Sequence, residues 1–435
     1  MTKIAIIGAG SHVFSHRLVA DCLTWPALQD ASIALMDINA EKVEFMGALS
    51  RKMVEQQKVG AEIIATTDLK TALEGADYVF PTIRASESRA HIDIPFKYGI
   101  NQSVGDTSGP GGAFYFLRNA PPIIGIAKAM EEVSPDGLIL NYTNPMAMLC
   151  WAIDELSKTR CVGLCHSVQG TARTLAGYIG VGFEEVSYWV AGINHMSWFL
   201  EYRRKGKDAY PMIWEAMKDP DIYERDIVRW EVMRHFGAFV SESSIHCSEY
   251  MPYFRRTPEM IERYMRSRWV DADGKPLSPK ARAEMWDKRR QERDEGYRRM
   301  AYGDEEIVVE RSNEFGSLII NAIETNEPYL FNGNVTNTGL ITNLLAGCIV
   351  EVPIVADAVG LHPCYVGDLP PALASLNRTN VNLHELVVKG FVEGDRESVY
   401  RAIQLDPLTS SKLTLPEIRE MVSEMFEAEK EWITI

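Results

Sequence analysis

The chain has no run of about 18 apolar residues and no short apolar stretch behind a basic N-terminus, so neither a membrane span nor a secretory leader is expected. It has no basic excess either. The formal net charge is −15, which argues against a nucleic-acid or anionic-membrane binder, because those partners demand a cationic face. Cysteine is sparse and unpatterned: Cys22, Cys150, Cys161, Cys165, Cys247, Cys348 and Cys364 are odd in number and lack metal-finger spacing. Reduced thiols in a cytoplasm are expected rather than a disulfide framework. Internal repeats and low-complexity segments are missing too. What remains is an ordinary globular composition, 46% hydrophobic and 24% charged, over 435 residues, length enough for about two or three domains.

The N-terminus opens on Lys3-Ile-Ala-Ile-Ile-Gly8-Ala9-Gly10-Ser11, a β-branched run ending in glycines, which predicts a buried parallel strand, a tight turn and a helix from about Val13 to Cys22. Such a turn lets backbone N–H groups approach a pyrophosphate at a helix N-terminus. The third glycine of the dinucleotide fingerprint is missing. A second apolar run, Ser32 to Met36, ends in Asp37, placed to accept both ribose hydroxyls and to repel a 2′-phosphate, so NAD is favoured over NADP. Asp37 is alternatively a helix N-cap. Strand and helix patterns continue to alternate at 62–67, 69–73, 77–83 and 137–146, the last ending at Asn144-Pro145. This order predicts an α/β fold whose N-terminal part, residues 1–190, is a Rossmann-like doubly wound parallel sheet. Residues 191–435 are read as a mixed α/β domain for substrate binding and oligomerisation. Within the first part, the glycine-rich segment Gln102 to Gly112 precedes a helix expected from about Ala113. In the second, charge-dense amphipathic helix is expected between Lys280 and Arg311, and strand from Leu340 to Val355.

Cys165 and His195 stand out in two short runs, Cys161-Val-Gly-Leu-Cys165-His166-Ser167-Val168 and Gly192-Ile-Asn194-His195-Met. A thiolate and an imidazole suit a transition metal and not calcium or magnesium, which want oxygen. Taken singly, a cysteine is a small buried hydrophobe and a histidine a satisfied core group. His166 and Asn194, crowded beside them in strand-like surroundings, give the pair a reason to be more.

Taken together, Gly8-Ala9-Gly10-Ser11, Asp37, Asn144-Pro-Met, Cys165-His-Ser-Val, Gly192-Ile-Asn194-His195-Met, Glu242-Ser-Ser-Ile-His246-Cys-Ser-Glu249-Tyr250 and Asn334-Val-Thr-Asn337 resemble glycoside hydrolase family 4, the NAD- and divalent-metal-dependent glycosidases, over nearly the full length. The run from Cys165 to Val168 resembles the α-galactosidase (melibiase) group. The resemblance implies that Gly8, Ala9, Gly10, Ser11 and Asp37 bind NAD and that Cys165 and His195 hold the metal, usually Mn2+. It also implies that Tyr250 is the catalytic base and that Asn144 and Asn194 hold the sugar. His166 stands where α-phosphoglucosidases carry aspartate, so it is taken as leaving-group acid or sugar-binding group. The segment between Ile83 and Lys97 departs from the family's pattern, with Arg84 and Arg89 near the expected substrate.

The implied chemistry differs from the carboxylate pair of most glycosidases: hydride removal from C3 by NAD+, proton removal from C2, elimination of the aglycone, addition of water, and return of the hydride, with the metal as Lewis acid. The substrate is read as an α-galactoside, with α-glucosides and α-hexuronides as alternatives, Arg84 or Arg89 being available to a uronate. From another class, a malate- or lactate-type dehydrogenase shares the N-terminal pattern, and a nucleotide-sensing protein would need only that part. A homodimer or homotetramer is expected by resemblance alone.

Overall fold

The computed structural model describes residues 1–10, 14–265 and 279–435. Ser11 and Val13 therefore lie outside the described residues. The strands are β1 (Lys3–Ile7), β2 (Ser32–Met36), β3 (Glu62–Thr66), β4 (Tyr78–Pro81), β5 (Leu138–Asn141), β6 (Arg160–Gly163), β7 (Val186–Ile193), β8 (Met196–Arg204), β9 (Lys207–Asp208), β10 (Tyr329–Thr336), β11 (Ile349–Asp357) and β12 (Gly360–Pro363). Among the described residues they form one sheet in the order β3-β2-β1-β4-β5-β6-β10-β11-β7-β8-β9, with β12 on β11. The first six strands are parallel and follow the 3-2-1-4-5-6 order of a dinucleotide fold. From β10 onward the pairing is antiparallel.

The register follows from burial. Every residue of β2, β4 and β5 is buried, and β1 is buried from Ile4 onward, as expected for parallel strands covered on both faces. The β7–β8 hairpin instead packs one face on a satellite core that includes Val190, Phe199, Tyr202, Trp230, Met233 and Phe239. In the sheet, β10 and β11 lie between this hairpin and β6, the two elements that carry the halves of the expected site.

Several boundaries differ from expectation. The helix after the glycine-rich segment starts at Gly109, four residues early, because Gly112 N–H already closes onto Ser108 O at 3.0 Å. The charge-dense region forms one helix, Pro279–Tyr302. Strand begins at Ile349 and not at Leu340. The reason is Asn337, whose side-chain amide donates to Ile341 O and Leu345 O at 3.0 Å while its backbone O accepts Gly347 N–H at 3.0 Å, which coils this stretch into a loop.

The C-terminal segment is stitched to the helix Gly109–Val133 by a fully buried ion pair, Arg118 Nη1 to Glu429 Oε1 at 2.7 Å. Ser88 Oγ donates to the same carboxylate oxygen at 2.8 Å. His91 stands 3.4 Å from Arg118, and burial, then the Arg118 charge, pushes its imidazole down to about 3, so it stays neutral. Removing one partner leaves a buried charge uncompensated. Glu429→Ala is expected to cost about 3–5 kcal/mol, read as a lowered urea-unfolding midpoint; an unchanged midpoint would refute the assignment.

Candidate active site

The C-terminal ends of β1, β2 and β4 open onto a cavity of about 1800 Å³, lined among others by Gly8, Gly10, Asp37, Ile83, Arg84 and Arg118. Gly8 has φ +88, and a Cβ there would stand 2.8 Å from Ile83. A Cβ on Gly10 would meet Asp37 Oδ2 at 2.7 Å. The turn is thus packed to a closeness only glycine permits. Gly10 N–H donates to Asp37 Oδ2 at 2.8 Å, while Gly8 and Ala9 N–H groups donate to Met36 O. Asp37 is not the helix cap. That place belongs to Asn39, whose side chain accepts Lys42 N–H at 3.0 Å. The cavity, the glycine turn and an acid at the end of β2 fit the adenosine side of NAD.

Cys165 follows the end of β6 by two residues and is buried. Asn194 and His195 form the two-residue turn between β7 and β8, closed by the Ile193–Met196 pair. His195 takes φ +63 there, a left-handed conformation that costs a non-glycine residue free energy and is tolerated where function over-determines it. Glu242, absent from the expected site, also stands at φ +65. The ligand atoms of Cys165, His195 and Glu242 lie within 4.8 Å of one another, with His195 Nε2 3.8 Å from Glu242 Oε2. His195 Nδ1 is buried with no hydrogen-bond partner.

The electrostatics of the trio follow from its burial and its neighbours. Burial, then the charges of Glu351 and Glu242, pushes the Cys165 thiol up to about 12. Burial also raises Glu242, but the imidazoles of His195 and His246 outweigh it and hold the carboxyl down at about 2. Glu351 lies behind the trio, wholly buried, and burial pushes it up to about 7 although it accepts a bond from Ser197 Oγ. Ser197 Oγ is also 2.9 Å from Ser241 Oγ, and Ser241 N–H donates to Ser197 O at 2.7 Å. This buried serine pair ties the turn carrying His195 to the segment carrying Glu242. One thiol, one imidazole and one carboxylate around a shared point suit a divalent transition metal.

Tyr250 ends the helix Ser244–Tyr250, 3% exposed. Its ring centroid is 6.5 Å from that of His195, and His246 lies T-shaped against His195 at 4.6 Å. Asn144, just beyond β5, donates from Nδ2 to Asp106 Oδ2 at 3.3 Å. The Oδ1 of Asn144 and Nδ2 of Asn194 are buried and unpartnered. His166 caps the helix Ser167–Tyr178, with Nδ1 3.8 Å from Glu314 Oε1. That carboxylate raises the imidazole to about 9 against the opposing effect of burial. Of the residues expected from sequence, Gly8, Ala9, Gly10 and Asp37 lie together at one end. Cys165, His166, His195 and Tyr250 gather at the ends of β6, the β7–β8 turn and the helix Ser244–Tyr250, and Asn194 shares that turn. Sequence reasoning missed Glu242, Glu351, Glu314 and Asp106. Of these, Asp106 alone lay in a segment that the sequence singled out on its own, through its density of glycine.

Comparison with known proteins gives the family. Residues 3–181 match the model of the family 4 glycosyl hydrolases, and residues 190–409 that of the family 4 glycosyl hydrolase C-terminal domain. An α-galactosidase of Bacillus subtilis (strain 168) is 39% identical over 440 residues, covering 100% of this chain and 99% of the relative. An α-galactosidase of Rhizobium meliloti (strain 1021) is 36% identical over 443 residues, covering 99% and 89%. In fold, the chain is similar to a 6-phospho-α-glucosidase from gut microorganisms solved in complex with NAD and Mn2+, with a TM-score of 0.83 at 22% identity, covering 100% of this chain and 99% of the other. With its whole-length likeness to two α-galactosidases and family models matched over residues 3–181 and 190–409, the chain belongs to the family 4 glycosyl hydrolases.

Proposed function

We propose that the protein hydrolyses α-galactosides with NAD and a divalent transition metal, Mn2+ in the first instance. The observation that carries this reading is the meeting of Cys165, His195 and Glu242 beside Tyr250, in a chain whose glycine turn and Asp37 follow β1 and β2 at the same edge of the parallel sheet as the end of β6 that precedes Cys165. Gly8, Ala9, Gly10 and Asp37 would hold the dinucleotide, with Ser11 by resemblance, and the trio would hold the metal. When bound, these two groups supply a hydride acceptor and a Lewis acid for C3 of the sugar.

The chain's own residues do the rest. Asn144 and Asn194 present buried, unpartnered amide atoms to sugar hydroxyls. Tyr250 removes the proton from C2. His166, held in its cationic form by Glu314, gives a proton to the departing glycosidic oxygen. The family resemblance supports residues 1–190 as the dinucleotide-binding part of a cytoplasmic homodimer or homotetramer, with residues 191–435 contributing substrate contacts and the subunit interface.

A neutral sugar is favoured over a uronate. The arginines expected to meet a carboxylate each have an acidic neighbour: Arg84 has Glu87 at 3.1 Å and Arg89 has Asp93 at 3.7 Å. Arg118, which lines the same cavity, is neutralised by Glu429. The direct test is a panel of nitrophenyl α-galactoside, α-glucoside and α-galacturonide with Mn2+, NAD+ and a thiol reductant. The galactoside should be cleaved fastest, with activity lost after removal of either cofactor. A preference for the uronide would overturn the sugar assignment. Full activity of stripped enzyme would overturn the chemistry, and steady accumulation of NADH would indicate a dehydrogenase instead.

A further inference from the structure

The glycine-rich segment before the helix Gly109–Val133 is too well fastened to be a passive turn. Glu249, next to Tyr250 in sequence, accepts the backbone N–H groups of Val104 and Gly105 at 2.8 and 3.0 Å. Gln102 spans the loop from within, donating to Ser108 O at 2.8 Å and accepting Gly111 N–H at 3.0 Å. The backbone is folded so tightly that a Cβ on Gly112 would stand 2.5 Å from Thr107 C, and one on Gly111 2.6 Å from Gly105 O. These bonds fasten the backbone on both sides of Asp106.

Asp106 Oδ2 accepts the Asn144 amide at 3.3 Å, while its Oδ1 is buried and has no partner. The charge lies close enough to Tyr250 to act on its phenol. A buried carboxylate oxygen left without a donor is costly unless a ligand supplies one. Unlike the arginines of the cavity wall, Asp106 has no cation bonded to it among the described residues. A sugar whose C2–C3 edge faces Tyr250 and the trio has its C4 and C6 hydroxyls left to bind.

We propose that Asp106 is the residue that selects a neutral hexose: its free carboxylate oxygen accepts a hydrogen bond from the C4 or C6 hydroxyl and its charge rejects a carboxylate or phosphate at C6. This rests on the glycosidase reading above. A charge-assisted hydrogen bond to a hydroxyl carries discrimination that a hydrophobic wall does not, and the like charge supplies the repulsive half of specificity.

The experiment compares wild-type, Asp106→Asn and Asp106→Glu holoenzymes on nitrophenyl α-galactoside, its 4-deoxy and 6-deoxy analogues and nitrophenyl α-galacturonide. Galactose and galacturonate serve as competing ligands, so that binding is read without turnover. For Asp106→Asn, KM for the galactoside should rise roughly 10-fold, because the amide oxygen can still accept the hydroxyl but carries no charge to strengthen the bond. Its ratio of galacturonide to galactoside kcat/KM should rise at least about 10-fold, and inhibition by galacturonate should strengthen relative to galactose. One of the two deoxy analogues should be insensitive to the substitution, because the hydroxyl and its acceptor form one interaction. Asp106→Glu should keep the charge discrimination while losing part of the galactoside affinity, and it covers the case in which the asparagine variant fails to fold. An Asn variant with an unchanged sugar preference, or equal penalties on both deoxy analogues and the parent, would overturn the proposal. Wild-type enzyme inert on every galactoside would instead refute the α-galactosidase reading on which it stands.

Discussion

Tyr250→Phe is expected to lower kcat by about 10²- to 10⁴-fold, the usual share of a positioned proton-transfer group, while NAD and Mn2+ still bind. The substitution removes one oxygen from a side chain that is otherwise packed by its ring, so the fold should be retained. Burial pushes this phenol well above its ordinary value, and the neighbouring Asp106 and Cys165 charges add to the push. Such a group is a poor base at neutral pH. A divalent cation held by Cys165, His195 and Glu242 would oppose that push and lower the phenol toward a usable range. Because the base must be deprotonated, kcat/KM should rise with pH across the range in which the loaded enzyme's phenol titrates, and this limb should vanish in the Phe variant. The most specific measurement is exchange at C2: wild-type protein in D₂O should place deuterium at C2 of the product, and Tyr250→Phe should not. Residual turnover within 10-fold of wild type would mean that the proton goes elsewhere.

How much of this was legible before the structure depends on whether a residue's signal is local. The turn Gly8-Ala9-Gly10 and the acid Asp37 could be read because a strand, a glycine turn and a second strand write themselves as contiguous patterns. Their meeting, Gly10 N–H on Asp37 Oδ2, is the contact that such patterns imply. Cys165 and His195 could be read because thiol and imidazole are chemically conspicuous. Glu242 could not: a glutamate among serines looks like any solvated loop. It enters the site only because the chain takes a left-handed turn there and Ser241 is bonded to Ser197, 44 residues earlier. Glu351 was hidden for another reason. It sits in a strand that otherwise reads as apolar core, opposite Gly192 in the sheet, and sheet neighbours so distant in sequence leave no periodic trace. The Leu340–Val355 strand failed similarly, since one asparagine, through several side-chain bonds, decided a loop where hydrophobicity suggested extended chain. Asp106 shows the intermediate case. The glycine density of its segment pointed to close backbone approach, and the purpose of that approach appears only with Glu249 and Asn144 in place.

The second large effect is expected at Cys165. Cys165→Ser should reduce kcat/KM by at least about 10³-fold, because Lewis-acid help of several kcal/mol converts to that range, and it should weaken Mn2+ binding in parallel. The serine hydroxyl is nearly isosteric but does not ionise, so the loss belongs to the thiolate and not to packing. In the metal-free protein the thiol is pushed up to about 12, by burial first and then by Glu351 and Glu242. It is therefore protonated at neutral pH, and a metal must displace that proton to gain the sulfur ligand. The sign follows: below the free thiol's pKa, each unit rise in pH should strengthen Mn2+ binding up to about 10-fold, with one proton released per ion from this group. Titration calorimetry in two buffers of different ionisation enthalpy reads that proton directly, and the serine variant should release one fewer. Cobalt offers an optical version of the same test, since a sulfur-to-metal charge-transfer band should appear with wild-type protein and be absent from Cys165→Ser. Unchanged proton release and metal affinity within threefold in the serine variant would remove Cys165 from the metal site and leave His195 and Glu242 without their third partner.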